Sequence, residues 1–336
     1  MLASDVAIDF GSVNTRVASA KGGVIYEEPT VVALNHDSGR PVFFGAAALG
    51  SSAQRAGQLR AVRPVVAGQL ENIAVAELFL KHVIKQTGRR YLQRRRVLAT
   101  MPLDATPVQL RAMTNALERA GVHKVRFLAQ PLACALGAKI AIEAPVGSMV
   151  IDVGGEITNI AAIALGGVIV GTTVQFGGES FVRAILRVCL EREDLVVDPD
   201  VARQLRNAFG VMDIVDRDLS VEIIGRDRSS GGMRPALIRQ QEIAEVLRRE
   251  LTPVFAAASK IIADSPPEIA NDLMSSGIVL AGGGSQLRGL AQNLAMATGI
   301  PVHVFDNPES LGVLGAARCL SSFHELEEVF TSAPPH

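Results

Sequence analysis

The chain carries one motif twice. Near its start it reads Ile8-Asp9-Phe10-Gly11-Ser12-Val13-Asn14-Thr15-Arg16-Val17-Ala18, followed by Gly22-Gly23-Val24-Ile25. In its middle it reads Ile151-Asp152-Val153-Gly154-Gly155-Glu156-Ile157-Thr158-Asn159-Ile160-Ala161, followed by Gly166-Gly167-Val168-Ile169. Asp, Gly, Thr and Ala recur at the same offsets, and the glycine pair recurs after a one-residue insertion. Each copy reads as a buried strand, a Gly-containing turn, a second strand, a Gly-Gly hairpin and a third strand. With 336 residues against roughly 150 per domain, two copies of one meander predict two similar α/β domains.

Helical periodicity follows each meander. Apolar spacing predicts helices over Ala74–Gln86, Val108–Ala120, Gln130–Leu136, Phe181–Glu191, Gln241–Ala263, Ser285–Ala297 and Gly312–Ser321. Short strands are predicted at Val97–Met101, Val125–Leu128 and Pro301–Phe305, and Ser229–Gly232 reads as a turn between two strands. Ala333–His336 reads as a loose tail. Strand meanders followed by helices, twice over, make a layered α/β fold.

Composition narrows the function classes. Hydrophobic residues are 48% of the chain, enough for sizeable cores, and 33 Lys plus Arg face 34 Asp plus Glu. That balance gives no case for bulk nucleic-acid binding. No apolar run reaches the roughly 20 residues of a membrane span, and Asp5 and Asp9 flank a start without a basic leader region. Three scattered cysteines support neither a disulfide framework nor a metal knuckle. A soluble protein of a reducing compartment is expected.

The chemistry resides in the repeated turns. An Asp closing a strand before a glycine-permitted turn can hold a hydrated Mg2+ while backbone N–H groups cradle phosphates. Asp9-x-Gly11 and Asp152-x-Gly154 both have this form. Either alone is an ordinary Asp-Gly turn; two related by a repeat can face one another across a cleft and clamp one polyphosphate. Ser12, Asn14, Thr15 and Thr158 add candidate hydrogen-bond donors. Gly282, Gly283, Gly284 and Ser285 follow an apolar strand and precede a predicted helix, which suits close approach of an adenine nucleotide.

These turns, together with Gln130-Pro131, Phe176-Gly177-Gly178 and the Gly282–Gly284 loop, resemble the five sequence blocks of the actin superfamily. Within it, the strings Glu28-Pro29-Thr30-Val31-Val32-Ala33, Arg63-Pro64, Gly147-Ser148-Met149-Val150-Ile151-Asp152 and Gly299-Ile300-Pro301-Val302 resemble the MreB/Mbl family of bacterial cell-shape proteins. The similarity runs colinearly from about Asp5 to Leu320.

The resemblance implies an actin-like ATPase fold, two duplicated ribonuclease-H-like domains around a nucleotide cleft. It sets domain I at 1–145, with a small insert at about 30–72. Domain II follows at 146–320, with an insert at about 179–243; the helix of 310–325 returns toward domain I, and 326–336 is a tail. It implies ATP or ADP with Mg2+ held through water by Asp9 and Asp152. The phosphates would meet Gly11, Ser12, Val13, Asn14 and Thr15 on one side and Gly154, Gly155, Glu156 and Thr158 on the other. Gly178, Arg203, Arg206 and Gly282–Ser285 would border the nucleoside. Gln130 stands where MreB proteins place Glu to orient the attacking water; Gln can position water but cannot take its proton. Glu156 replaces a glycine, which predicts repulsion of the γ-phosphate of about 3 kcal/mol for unit charges roughly 5 Å apart. Arg203 replaces an acceptor with a donor.

The resemblance also implies filaments, cell-wall synthesis and morphogenesis partners, and a cytoplasmic location at the inner face of the membrane. The basic segment Arg89, Arg90, Tyr91, Leu92, Arg94, Arg95 and Arg96 falls where such proteins touch the membrane and suits an anionic lipid surface; it reads equally as a solvated charge run. Slow ATP hydrolysis by a metal-assisted water stays open against a degenerate, non-hydrolysing actin-like scaffold with weak or no nucleotide binding, which Glu156 and Arg203 favour. A small-molecule kinase of the same superfamily would need a substrate base, and no Asp outside the phosphate turns offers one.

Overall fold

The two meanders nucleate two five-stranded sheets of one design. The structure is a computed structural model that describes residues 5–21, 23–49, 57–87, 96–209, 219–320 and 330–331. In the first sheet the antiparallel strands Val6–Phe10, Asn14–Ser19 and Gly23–Pro29 continue on the other side of Val6–Phe10 into the parallel strands Arg96–Met101 and Lys124–Ala129. In the second sheet Ser148–Val153, Thr158–Ala164 and Gly167–Val174 form the meander, and Ile278–Ala281 and Val302–Val304 are the parallel pair.

Both sheets are covered on both faces, which is why their inner strands are apolar runs rather than alternating ones. Every residue of Ser148–Val153 and Thr158–Ala164 is buried. Outer faces pack into separate cores, one around Ile8, Phe79 and Leu117 and the other around Ile151, Phe181 and Leu247. The inner faces share a third core, in which Ala7 and Leu98 of the first sheet and Val150 and Ala161 of the second meet Leu132, Ala133, Val313 and Ala316. The last four come from two helices, Gln130–Gly137 and Leu311–Cys319, that run between the sheets. They touch backbone to backbone: a Cβ on Gly315 would run into the Ala133 carbonyl, and one on Gly137 into the Leu311 carbonyl. Glycine at these two positions lets the helices approach this closely within the core that the two sheets share.

Each half carries an insertion. Val32–Asn35, Pro41–Phe44 and Leu59–Val62 form a small sheet, followed by a hairpin of Val65–Val66 and Gln69–Leu70. Both turn residues of that hairpin are left-handed, Ala67 at φ +50° and Gly68 at φ +77°, as a two-residue hairpin loop requires. Leu195–Val196, Ser220–Asp227 and Met233–Arg239 form the second small sheet, with the helix Pro199–Phe209 in the connection.

The long helices form where periodicity predicts them: Ile73–Gln86, Pro107–Arg119, Gly178–Glu193 and Gln240–Asp264. Asn72 and Thr106 cap the first two, and Thr106 forms a reciprocal pair with Gln109. One expectation is corrected. Ser285–Ala297 is not one helix: Gly283–Gln286 is a 3-10 turn and the α-helix begins only at Leu290. Gly289, left-handed at φ +81°, breaks the two apart. The glycine loop therefore does not open an α-helix, and the anion preference expected from a helix start does not apply to it. Sequence periodicity also passes over the helix Pro267–Ser276, whose Pro267 sits in the first turn where its missing N–H costs nothing. Of the expected tail 326–336, residues 326–329 and 332–336 lie outside the described residues; the expectation is corrected at Thr331, which bridges Phe127 of the first sheet through two backbone hydrogen bonds of 2.9 Å.

Candidate functional site

The two Asp-x-Gly turns are superimposable in their bonding. Gly11 N–H donates to Asn14 O at 3.2 Å, and Gly154 N–H donates to Ile157 O at 2.9 Å. A Cβ at either glycine would sit about 3 Å from the same carbonyl that the N–H binds. The turns face one another closely enough that a Cβ on Gly155 would meet the Val13 side chain. Between them opens a cleft of about 340 Å³ lined by Asp9, Gly11, Ser12, Val13, Asn14, Gln130, Asp152, Gly154, Gly155, Gly178, Arg206 and Gly282–Gly284. An adjoining cavity of about 300 Å³ is lined by Phe181, Arg206, Asn207, Gly283, Gly284 and Leu287 among others. Arg206, Gly283 and Gly284 belong to both, so the two form one elongated site. Gly282 is a glycine because its φ is +83° and a Cβ would strike the Val153 carbonyl and the Asp152 carboxylate.

Strand alternation decides which side chains enter the cleft. Asp9 stands opposite Arg16 across the first hairpin, and Asp152 opposite Asn159 across the second. Facing residues in an antiparallel pair share a sheet face, so Arg16 and Asn159 accompany the aspartates while Thr15 and Thr158 turn away. Thr15 Oγ1 instead bonds Thr30 Oγ1 at 2.8 Å, and Thr158 Oγ1 donates to Phe176 O at 2.8 Å, both fully buried. The expectation that these two threonines bind phosphate is corrected. Ser285 is likewise structural, its hydroxyl donating to Gly282 O at 2.6 Å and closing the glycine loop.

Two further expectations change. Glu156 does not leave its carboxylate facing the cleft, because Oε2 accepts the Ala67 N–H at 2.6 Å. Its neighbour Ile157 lies against Gly68 of the same hairpin. Gly68 N–H in turn donates to Ser12 Oγ at 3.3 Å, and Arg63 donates to Ser12 O at 2.9 Å. The hairpin tip thus straps both phosphate turns. Arg203 does not line the cleft: it pairs with Asp200 at 2.6 Å and Glu179 at 3.3 Å. It steadies Glu179, a cleft-lining carboxylate that sequence reasoning missed. Arg206 does reach the cleft, where burial pushes its pKa down against the nearby Glu179.

The aspartates are short of positive charge. Burial, partly offset by Arg16 and by the Thr100 hydroxyl donating to Asp9 Oδ1 at 2.8 Å, raises the Asp9 pKa. Burial and then the charge of Asp9 push Asp152 up to about 7, opposed by the Asn159 hydrogen bond and Arg16. Two carboxylates, Asp152 buried and Asp9 half-buried, that destabilise one another suit a divalent cation. Among the described residues no group of three or more His, Cys, Asp or Glu gathers to hold a metal. A pair with open space beside it fits Mg2+, which keeps waters and takes its other ligands from substrate phosphates.

Asn159, buried and missed from the sequence, orders the centre of the site. Its Oδ1 accepts the Leu103 backbone N–H and the Thr173 hydroxyl, each at 3.1 Å. A backbone N–H can only donate, so the orientation of the amide follows. Its Nδ2 then donates to Gln130 Oε1 at 3.2 Å and Asp152 Oδ2 at 3.4 Å. Gln130 is thereby turned with its oxygen toward Asn159, leaving its NH2 end for a cleft ligand. The offset of seven from each aspartate in the repeat is the signal that would have found both Asn159 and Arg16.

Of the basic segment, residues 89–95, and so Arg89, Arg90, Tyr91, Leu92, Arg94 and Arg95, lie outside the described residues. Arg96 opens a strand and pairs with Asp5 at 2.6 Å.

Comparison with known proteins follows the same lines. Residues 3–328 match the family model described as MreB/Mbl protein. The cell shape-determining protein MreB of Escherichia coli K12 is 33% identical over 328 residues, covering 95% of this chain and 94% of the relative. The cell shape-determining protein Mbl of Bacillus subtilis is 30% identical over 327 residues, covering 97% and 98%. MreB5 of Spiroplasma citri bound to ADP superposes with a TM-score of 0.90 at 25% identity, covering 96% of this chain and 98% of that one. Its AMPPNP-bound form superposes equally well. A chain of the MamK double helical filament shares the fold at a TM-score of 0.78 and 22% identity, covering 94% and 99%. With the duplicated sheets, the paired aspartate turns and these matches together, the chain belongs to the MreB/Mbl family and has the actin-like fold.

Proposed function

We infer that this chain is an actin-like cell-shape protein that binds ATP or ADP between its halves and self-associates into filaments. The observation that carries the reading is the pair of repeat-related Asp-x-Gly turns facing one another across a cleft, with a nucleoside-sized cavity adjoining it. The turns at Gly11–Asn14 and Gly154–Gly155 would cradle the phosphates, and Arg206 with Gly282–Gly284 would border the nucleoside. Asp9 and Asp152 would hold Mg2+ through water, and the ion when bound would neutralise phosphate charge. Similarity to nucleotide-bound MreB5 and to the MamK filament supports the nucleotide and the polymer respectively. Heterologous contacts between copies, which do not close on themselves, would give the filament. Association with an anionic membrane surface through the Arg89–Arg96 segment, cell-wall synthesis partners and a cytoplasmic location at the inner membrane face belong to the same proposal. Among the described residues no helix is long and apolar enough to cross a membrane.

Equilibrium binding of ATP and ADP with and without Mg2+ tests the reading. Binding of both, tightened by Mg2+ and lost with Asp152→Asn only in its Mg2+-dependent part, is expected. Absence of binding by either nucleotide sinks the proposal. A second reading, a nucleotide-binding scaffold with little or no hydrolysis, is favoured by the Gln130 geometry. Its oxygen is engaged by Asn159, and its NH2 end can hold a water or phosphate oxygen but accept no proton. Phosphate release from purified protein separates the two.

A further inference from the structure

Arg16 is a buried cation in the cleft that the nucleotide reading has not used. It stands directly across from Asp9 and lines the cleft with Asp9, Asp152 and Gln130. Its counterpart in the second copy of the repeat is Asn159, whose side chain reaches the centre of the site. Arg16 is only 9% exposed, and one arm of its guanidinium is fixed by Glu27 on the next strand, with Nη2 2.6 Å from the carboxylate. Its Nε is buried and has no acceptor in the structure.

A buried guanidinium with an unmatched N–H is costly, because the group has lost water without gaining a partner. Nε itself is closed off from solvent, but the residue lines the cleft, so the guanidinium edge that Glu27 does not hold is the part that an acceptor arriving with a ligand would meet. The charge inventory says what kind. Asp9, Asp152, Glu27, Glu179 and Glu309 line the cleft against two cations, Arg16 and Arg206. Arg206 also lines the nucleoside cavity, whereas Arg16 stands on the side of the aspartates. A polyphosphate entering here meets a wall of carboxylates, and Arg16 is the side chain placed to receive it. Arginine suits this role because its fork can keep one carboxylate on one edge while donating from another to a phosphate oxygen.

We propose that Arg16, held in place by Glu27, is a direct ligand of the phosphate chain of the bound nucleotide and supplies fixed positive charge beside the metal position. The proposal rests on the nucleotide-binding reading of the cleft, and its test keeps the two apart. Adenosine, ADP and ATP are titrated, with Mg2+ and with chelator, into the full chain and into Arg16→Leu, Arg16→Lys and Glu27→Gln.

Loss of one charged hydrogen bond predicts ADP and ATP binding weakened about 10- to 150-fold in Arg16→Leu, in chelator as well as in Mg2+, with adenosine affinity within twofold of the parent. Arg16→Lys should recover part of the loss, and Glu27→Gln should weaken ADP without touching adenosine. If the parent chain binds no ADP, the cleft reading fails. If it binds ADP and Arg16→Leu binds ADP equally well, the cleft reading stands and the Arg16 proposal is overturned. Should Arg16→Leu fail to fold, Arg16→Lys decides: a parallel loss of adenosine and ADP makes Arg16 structural and also overturns the proposal.

Discussion

Removing the Glu156 carboxylate should release bound nucleotide faster. Its Oε2 accepts the Ala67 N–H at 2.6 Å, joining the second phosphate turn to the hairpin of the first half. A hydrogen bond to a charged group contributes about 1.5–3 kcal/mol, and the half-buried setting favours the lower end. About 1.5 kcal/mol corresponds to roughly a tenfold change in the ratio of strapped to unstrapped cleft. Ala67 also holds a left-handed φ of +50°, a conformation unfavourable by about 1–2 kcal/mol for a residue with a side chain, so the freed hairpin has reason to relax. Glu156→Gly should therefore speed release of a fluorescent ADP analogue about tenfold in stopped-flow displacement, and Glu156→Gln, which keeps the acceptor without its charge, about threefold. Release within twofold of the parent for both variants would refute the strap. A gain in ATP affinity without a gain for ADP would show instead that the carboxylate faces the γ-phosphate.

Gln130→Glu should raise ATP turnover at least tenfold, because it places a proton acceptor on the cleft wall that Gln130 lines; unchanged phosphate release would place the limitation elsewhere. Gly315→Ala should destabilise the chain by about 1–3 kcal/mol or more, since its Cβ runs into the Ala133 carbonyl between the two central helices; a melting temperature equal to the parent's contradicts that crossing. Sedimentation with ATP should show a pelletable fraction above a threshold protein concentration, and a strict monomer under every nucleotide condition excludes the polymer. Replacing Arg94, Arg95 and Arg96 by Ser should reduce co-sedimentation with anionic vesicles, most clearly at low salt; equal binding to neutral vesicles rules the lipid reading out.

The repeat, the glycines and the apolar periodicity were legible in the chain because they act over a few residues. Asp9 and Asp152 close buried strands, Gly11 and Gly154 permit the turns, and long helices follow their capping residues. The errors at the site have one physical origin: a polar side chain takes its role from whatever packs beside it, not from its own type. Thr15 and Thr158 looked like phosphate donors, but strand alternation turns them into the interior. Glu156 looked like a charge aimed at the polyphosphate, but a hairpin 89 residues away supplies its donor. Arg203 is claimed by Glu179 and Asp200. Asn159 and Arg16, neither of them read as functional, stand at the cleft because two sheets meet there face to face. The chain by itself determined most of its elements and its two aspartates; the docking of the halves, through cores and close helix contacts that join distant residues, decided which polar groups share the cleft.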